Sequence, residues 1–247
     1  MTIMSELMSV LRYDRKSVQM NNPFMIQRLL FESDSRLIIF DVGACVGDVT
    51  KTYRGLFPDA AIYCFEPFPD SFKKLEKLSS DEKIRAYQLA VSDRVDKTKL
   101  YVNADVTCNS FYPRPQDGIK YYPEKAQHVG YIEVDTTTID NFYGREHIGH
   151  IDILKIDVEG AERKVLNGAC DTLSKHAISL IYTEVMFTAH YEGGCLFHEL
   201  TALLERYSYT LFNFYNLKRA RNGQIRWGNA IFLSPETRAK ISDIHSV

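Results

Sequence analysis

Short apolar runs alternate with segments of helical periodicity along most of this chain. The first two runs are 37–40 and 61–65, and a third covers 84–91. Between them, apolar residues recur at helical spacing around 49–57 and over 70–78. A strand that is apolar at every position is typical of a parallel sheet covered by helices on both faces. The alternation therefore predicts an α/β fold with a doubly wound, mostly parallel sheet, whose ligand sites lie at the carboxyl ends of the strands.

The second half of the chain continues this alternation and ends in β structure. The predicted strands and helices are the strands 151–156 and 178–185, the helices 161–173 and 196–207, and two β runs at 209–217 and 230–233. The polar segment 218–228 between the last two runs is typical of a hairpin. These elements extend the sheet of the first half.

Two segments stand apart from the alternation. Helical apolar spacing over residues 1–34, with Asn22 before Pro23 as a helix-start signal, predicts an N-terminal helical cap. The stretch 104–130 lacks core periodicity, and a loop of that length inside a compact domain is usually functional or disordered. We therefore predict a single domain with a catalytic core at 35–234, in which 104–130 is an active-site insertion.

The charge balance argues against a nucleic-acid partner. The chain has 30 Lys and Arg residues against 32 Asp and Glu residues, a formal net charge of -2, and so lacks an extended cationic field. The five cysteines include no CxxC pair, which argues against a zinc site or a disulfide framework. No stretch approaches the ~18 apolar residues of a membrane span, so we expect no integral membrane segment. We expect a cytoplasmic protein, and a homo-oligomer is left open.

A glycine-bearing turn follows the first predicted strand. It holds the candidate cofactor-binding residues Asp41, Gly43, Ala44, Gly47 and Asp48. The dinucleotide pattern GxGxxG is not met. The turn resembles instead the acidic-x-Gly-x-small-x-Gly loop of class I methyltransferases, with Cys45 where a glycine is commoner. In that interpretation Gly43 and Gly47 clear space for the methionine part of S-adenosylmethionine, and Asp41 helps to hold its ammonium group. A plain strand-to-helix turn is the alternative, because short glycine motifs often match by chance.

The ends of the next two predicted strands supply further cofactor candidates. Glu66 lies roughly 20 positions after the glycine turn and directly before Pro67, where a carboxylate can accept hydrogen bonds from both hydroxyls of a ribose. A solvated surface charge is the alternative for this residue. Ala90, Val91 and Ser92 offer a wall of small side chains for an adenine. The combination favours a cofactor that carries a nucleoside.

A longer motif follows the fourth predicted strand and makes the pattern specific. The motif is Leu154-Lys155-Ile156-Asp157-Val158-Glu159-Gly160-Ala161-Glu162, and the matching features elsewhere are the glycine turn, Phe65-Glu66-Pro67, Ala90-Val91-Ser92, Thr138-Ile139-Asp140 and 227–232. Together they resemble the FkbM family of S-adenosylmethionine-dependent O-methyltransferases over roughly residues 38–234. The resemblance implies a class I, Rossmann-like fold with a seven-stranded sheet. It also implies S-adenosylmethionine as cofactor and a hydroxyl of a sugar, glycan or glycolipid-type molecule as acceptor.

Transfer of a methyl group to an alcohol needs in-line placement of the reactants and a group that takes the hydroxyl proton. Asp157, Glu159 and Glu184 follow or end adjacent predicted strands, and His190 lies in the loop after the fifth. Two routes stay open, namely Mg²⁺ held by Asp157 and Glu184, or His190 as general base. The catalytic candidates are therefore Asp157, Glu184 and His190. Structural roles are the alternatives, such as helix N-terminal charge for Glu159 and Glu162.

The insertion and the basic hairpin supply candidate acceptor contacts. Phe111, Tyr112, Tyr121, Tyr122 and Tyr131 are the aromatic residues on which a sugar ring can stack, although aromatic side chains more often pack. The basic residues of 218–226 suit either a substrate phosphate or a solvated hairpin tip. We expect 104–130 and 187–196 to form a mobile roof over the acceptor.

Two other functions fit part of the pattern. Lys155, Asp157 and Glu184 also suit an RNA 2′-O-methyltransferase, against which the neutral charge balance argues. A non-catalytic binding protein with a cofactor fold is the third hypothesis. The intact Gly43 and Glu66 argue against it.

Overall fold

The chain forms two β-sheets in the computed structural model, which describes residues 21–31, 36–115 and 128–241. In chain order the strands are β1 (Ile38–Val42), β2 (Ala61–Phe65), β3 (Ile84–Tyr87), β4 (Ala90–Val91), β5 (Lys97–Asn103), β6 (His128–Thr137), β7 (Ile151–Ile156), β8 (Ile178–Met186), β9 (Thr210–Arg219) and β10 (Ile225–Leu233). The large sheet has the order β3-β2-β1-β7-β8-β10-β9, and the small sheet has the order β4-β6-β5. In the large sheet only β10 pairs antiparallel with its neighbours, β8 and β9, among the described residues. The predicted α/β fold with a seven-stranded, mostly parallel sheet is confirmed.

Helices cover both faces of the large sheet. They are α1 (Pro23–Leu30), α2 (Asp48–Leu56), α3 (Pro69–Leu75), α4 (Ile139–Arg145), α5 (Glu162–Asn167), α6 (Cys170–Ser174), α7 (Phe197–Glu205) and α8 (Pro235–Lys240), with 3₁₀ turns at Glu76–Ser80 and Val106–Cys108. One apolar layer joins Phe40 and Val42 of β1 to side chains of α4–α7, and the other joins Ile39 to side chains of α1–α3. Because successive strand residues point to opposite faces, burial on both sides explains the all-apolar runs.

The helix-start signal at Asn22 is confirmed. The Asn22 side-chain oxygen accepts hydrogen bonds from the amides of Phe24 (2.9 Å) and Met25 (3.4 Å), and Pro23 occupies the first turn of α1. These contacts satisfy amides that have no partner inside the helix. The rest of the predicted cap, 1–20, lies outside the described residues.

The prediction of one strand over 84–91 is wrong. β3 ends at Tyr87, whose carbonyl accepts the amide of Glu66 (3.1 Å), and the chain then leaves the large sheet. β4 pairs in parallel with the end of β6 in the small sheet. An apolar run does not reveal where the chain passes from one sheet to the other, because its side chains are buried equally well in either sheet.

The prediction of one helix over 161–173 is also wrong. α5 and α6 are separate helices on either side of Gly168. A Cβ at Gly168 would lie 2.0 Å from the carbonyl oxygen of Ser92. The backbones of Gly168 and of Ser92, the residue directly after β4, therefore lie in close contact at the point where the helix is interrupted.

The terminal hairpin is confirmed, with longer strands than predicted. β9 extends to Arg219 and β10 begins at Ile225, so much of the polar segment 218–228 is strand. Among the described residues, no helix has the length and apolar composition to cross a bilayer. The single-domain organisation stays a prediction, and residues 116–127 of the insertion lie outside the described part of the chain.

Candidate active site

The turn after β1 fits tightly against two neighbouring elements. Gly43 has a φ of 73° and Gly47 a φ of 86°, in the left-handed region that glycine adopts without strain. A Cβ at Gly43 would lie 1.9 Å from the carbonyl oxygen of Asp157, and one at Gly47 would lie 2.4 Å from Cδ1 of Leu78. The space that these glycines leave is therefore taken by protein atoms, at the end of β7 and in the turn after α3.

A cavity opens beyond the ends of β1, β2, β4 and β7. The sequence candidates in its wall are Gly43, Glu66, Pro67, Ala90, Val91 and Asp157. The insertion contributes Val106, Thr107, Asn109, Ser110 and Phe111. The first part of the insertion thus faces the same cavity as the glycine turn and Glu66.

Glu66 is held at the cavity wall by two backbone donors. Its Oε2 accepts the amide of Cys45 and its Oε1 accepts the amide of Phe68, each at 2.8 Å. Burial raises the pKa of the Glu66 carboxyl, and the two amides partly offset this effect. A carboxylate offers about four lone-pair sites, so each oxygen keeps capacity for one more donor. The side chain is therefore fixed in place and still able to accept two hydroxyls from the cavity.

Asp41 lies behind the cavity wall, in the core. Its carboxylate is fully buried, accepts the hydroxyl of Thr50 at 2.7 Å and pairs with the Lys155 ammonium at 3.0 Å. Lys155 also donates to the carbonyls of Gly43 (2.8 Å) and Val42 (3.3 Å). Burial opposes the charged ammonium, but the charges of Asp41 and Asp157 outweigh it and raise the pKa of Lys155. This pair fixes the glycine turn from behind.

The remaining cofactor candidates lie outside the cavity wall among the described residues. Ala44 is buried beside the turn, and Asp48 is the exposed first residue of α2, where it pairs with Lys51 at 3.0 Å. Ser92 is buried and donates to the Asp93 carboxylate at 3.1 Å. These three cofactor candidates are therefore not among the residues that line the cavity.

Three carboxylates meet beside the cavity. Oxygen atoms of Asp157, Glu159 and Glu184 all lie within 4.8 Å of one another. Asp157 and Glu159 follow β7 and line the cavity, whereas Glu184 is near the end of β8 and only 8% exposed. Its Oε2 is buried and has no hydrogen-bond partner among the described residues. The metal candidates Asp157 and Glu184 are thus brought together, and Glu159 joins them.

The crowding of acids changes their ionisation. Burial, together with the charge of Asp157, raises the pKa of Glu159 to about 8. Burial and the charges of Glu159 and Asp157 hold the pKa of Glu184 well above its usual range. The cluster therefore favours uptake of positive charge, as a proton or as a cation.

Glu162 has a different role beside the cluster. Its Oε1 accepts the amides of Val158 and Gly160, both at 3.2 Å, at the start of α5. Burial raises the pKa of Glu162 to about 7. These contacts match the structural alternative that the sequence left open for this residue, since they order the turn that leads into the helix.

His190 is not among the residues that line the cavity. Burial, with the charges of Arg226 and Arg114, lowers the pKa of His190 to about 4. A histidine with that pKa is a poor acceptor for a hydroxyl proton near neutral pH. The structure therefore gives less weight to the histidine route than to the carboxylate cluster.

Sequence reasoning missed the residues that hold the site together. Lys155 was quoted in the FkbM-like motif but given a role only in the RNA hypothesis, and Tyr191 and Arg114 were not singled out. A buried lysine directly before the Ile-Asp pair is a signal that a pairing carboxylate lies on the adjacent strand. No such signal exists for Tyr191, whose contacts depend on how two irregular segments fold together.

Residues 41–211 match the methyltransferase FkbM domain family. Among curated relatives, the 2-O-methyltransferase NoeI of Sinorhizobium fredii (strain NBRC 101917 / NGR234) is 28% identical over 163 residues, 63% of this chain and 66% of that protein. The 31-O-demethyl-FK506 methyltransferase FkbM of Streptomyces tacrolimicus is 27% identical over 202 residues, 70% of this chain and 73% of that protein. The chain thus spans just under two thirds of the length of NoeI.

Among solved structures, the methyltransferase domain of METTL16 has a TM-score of 0.51 at 11% identity, covering 87% of this chain and 67% of that one. At this identity the likeness concerns the fold alone. The strand order, the family match and the motifs agree on a class I methyltransferase fold. The chain belongs to the family of FkbM methyltransferase domains.

Proposed function

We propose that this protein is an S-adenosylmethionine-dependent O-methyltransferase that acts on a hydroxyl of a sugar or glycan-type acceptor. The observation that carries the proposal is the cavity shared by Glu66 and the carboxylate cluster. Glu66 can accept hydrogen bonds from the ribose of the cofactor, and the carboxylates can take up the proton of the methyl acceptor. A methyl transfer to a hydroxyl requires both functions. The family relatives that are named for O-methylation support the same reaction class.

The residues of the cavity fit S-adenosylmethionine. Glu66 keeps capacity for two hydroxyl donors, which matches the diol of a ribose. Leu89, Ala90 and Val91 form an apolar wall beside it, suited to an adenine. Gly43 places its backbone at the cavity, between Glu66 and Asp157. Bound there, the cofactor supplies an electrophilic methyl group on a sulfonium.

The protein's own groups then act on the acceptor. The apolar wall excludes water from the adenine side, while Glu66 fixes the position of the ribose and hence of the rest of the cofactor. The crowded carboxylates of Asp157, Glu159 and Glu184 take up the proton that the acceptor hydroxyl loses. Asp157 and Glu159 do so from the wall of the cavity itself.

As an alternative to proton uptake, the same three carboxylates fit a divalent cation. Mg²⁺ prefers carboxylate oxygens, and the buried Glu184 Oε2 is an acceptor whose partner a cation would supply. Asp157, Glu159 and Glu184 would hold the ion, which would lower the pKa of a hydroxyl bound to it. This arrangement favours the metal route over His190.

The wall contributed by the insertion supports a polyhydroxylated acceptor. Thr107, Asn109 and Ser110 present polar groups, and Phe111 presents an aromatic ring on which a sugar face can stack. RNA is the less favoured acceptor, because Lys155 is buried in an ion pair with Asp41 and is not in the cavity wall. A cytoplasmic location and a homo-oligomer stay predictions.

Replacing Glu66 by glutamine tests the cofactor site. The amide keeps the size of the side chain but removes the charge and one acceptor, so charge-assisted hydrogen bonds worth about 1.5 to 3 kcal/mol are lost. We expect the calorimetric affinity for S-adenosylmethionine to fall about ten-fold or more.

Asp70→Asn is the matched control for Glu66→Gln. Asp70 is an exposed acid that pairs with Lys73 in the first turn of α3, outside the cavity wall. Its variant should bind the cofactor like the wild type. Equal affinities for Glu66→Gln and Asp70→Asn would remove Glu66 from the cofactor site.

A further inference from the structure

A buried tyrosine in the segment after β8 contacts the carboxylate cluster. Tyr191, only 1% exposed, donates its hydroxyl hydrogen to Oε2 of Glu159 at 2.5 Å. The Tyr191 ring also packs against the turn after β7, where a Cβ at Gly160 would lie 3.2 Å from its Cδ2. Glu159 itself has a φ of 55°, uncommon for a residue with a side chain, so its position depends on such contacts.

Tyr191 is held in turn by an arginine of the insertion. The Nη2 of Arg114 donates to the tyrosine hydroxyl at 2.7 Å, and the guanidinium lies 4.6 Å from the centre of the ring. An oxygen that accepts from a cation becomes a stronger donor, so the arginine strengthens the bond from Tyr191 to Glu159. The three groups form one chain of donors from Arg114 to the cluster.

Two more contacts join the same segments. Ser110 donates its hydroxyl to the carbonyl of Glu159 at 2.6 Å, and the amide of Glu192 donates to the carbonyl of Pro113 at 2.9 Å. The described part of the insertion and the segment 187–196 are therefore one connected unit above the cluster. Since the insertion residues of this unit also line the cavity, together with Glu159, their placement and that of Glu159 are linked.

We infer that Tyr191 is a positioning residue, which holds the Glu159 carboxylate in the cluster. It does so only while residues 106–115 of the insertion are in place, because this segment contributes Arg114. The Glu159 carboxylate is then held beside Asp157 and Glu184 only when the insertion segment forms its part of the cavity wall. The inference rests on the proposed function for the use of the cluster, but the contacts themselves are independent of it. Groups that orient a ligand carboxylate typically change metal affinity 10- to 100-fold when removed.

The test compares two buried tyrosines. Tyr191→Phe removes the hydroxyl that contacts Glu159, whereas Tyr209→Phe removes an equally buried hydroxyl that donates to the carbonyl of Ile178 at 2.7 Å, at the other end of β8. Each variant removes one buried hydroxyl, so Tyr209→Phe controls for that loss, and Tyr191→Phe additionally removes the acceptor of the 2.7 Å hydrogen bond from Arg114. Mn²⁺ affinity is measured by electron paramagnetic resonance, and amide hydrogen exchange is measured over 106–115 and 157–162.

We expect the wild type and Tyr209→Phe to bind Mn²⁺ alike, Tyr191→Phe to bind it roughly 10-fold more weakly, and Glu184→Gln to lose it. We also expect Tyr191→Phe to exchange faster than Tyr209→Phe in both segments. Arg114→Gln should weaken Mn²⁺ binding in the wild-type background and add little to Tyr191→Phe, because the arginine acts through the tyrosine.

The two proposals fail in different ways. A wild type that binds no Mn²⁺ contradicts the cation site of the proposed function, and the exchange rates then decide on Tyr191 alone. The positioning role is overturned if Tyr191→Phe exchanges like Tyr209→Phe in either segment. It is also overturned if the wild type binds Mn²⁺ and Tyr191→Phe binds it equally well.

Discussion

Replacing Gly43 by alanine is expected to destabilise the protein by roughly 2 to 5 kcal/mol. The left-handed backbone at this position costs a residue with a Cβ about 1 to 2 kcal/mol. The new carbon would also lie 1.9 Å from the carbonyl oxygen of Asp157, and overpacking of this kind costs roughly 1 to 3 kcal/mol. The two nearest atoms, the carbonyl oxygen and carbon of Asp157, belong to the backbone, so no side chain can rotate away and the ends of β1 and β7 must move apart.

Gly55→Ala is the control for this substitution. Gly55 lies in α2, and a Cβ there would meet nothing within 4 Å. Alanine is about 1 kcal/mol better than glycine inside a helix, so this variant should be as stable as the wild type or more stable. Urea denaturation gives both free energies of unfolding, and a Gly43→Ala value equal to that of Gly55→Ala would contradict the tight turn.

Replacing Lys155 by methionine is expected to cost about 3 to 5 kcal/mol, because it leaves the Asp41 carboxylate buried without its countercharge. Asp41 is 0% exposed and Lys155 is 3% exposed, so water cannot replace the lost partner. The carbonyls of Val42 and Gly43 lose their hydrogen bonds from the lysine as well. The free energy of unfolding from urea titration measures the loss.

The double variant Asp41→Asn/Lys155→Met distinguishes the ion pair from general packing. Replacing both members of a buried pair is often neutral, because the unpaired charge disappears with its partner. We therefore expect the second substitution to recover most of the stability lost by Lys155→Met. A double variant as unstable as the sum of the two single variants would show that the pair itself is unimportant.

The fold was predictable where burial leaves a simple pattern. β1, β2, β7 and β8 are buried on both faces and therefore mostly apolar, so their runs were identified correctly. The partner change after Tyr87 and the helix break at Gly168 depend on contacts between segments far apart in the chain. Neither leaves a local pattern that sequence reasoning can detect.

In the candidate site, the residues at strand ends were predictable, whereas those in irregular segments were not. Glu66 and Asp157 were each predicted to follow a strand of the sheet, at the carboxyl ends where ligand sites lie, and the structure places both at one cavity. Asp41 is the penultimate residue of β1, yet its carboxylate lies in the core, where it pairs with Lys155. Tyr191 and Arg114 lie in segments without periodicity, so only the folded structure reveals their contacts with Glu159.

The most direct test of the proposed function is transfer of an isotope-labelled methyl group from S-adenosylmethionine. The purified protein is incubated with Mg²⁺ and with separate panels of methyl glycosides, oligosaccharides and RNA oligonucleotides, and mass spectrometry locates the label. The proposed function predicts label on a hydroxyl oxygen of a sugar-type acceptor, with none in reactions of the Glu184→Gln variant. Label found only in RNA, or only on nitrogen or carbon atoms, would contradict it.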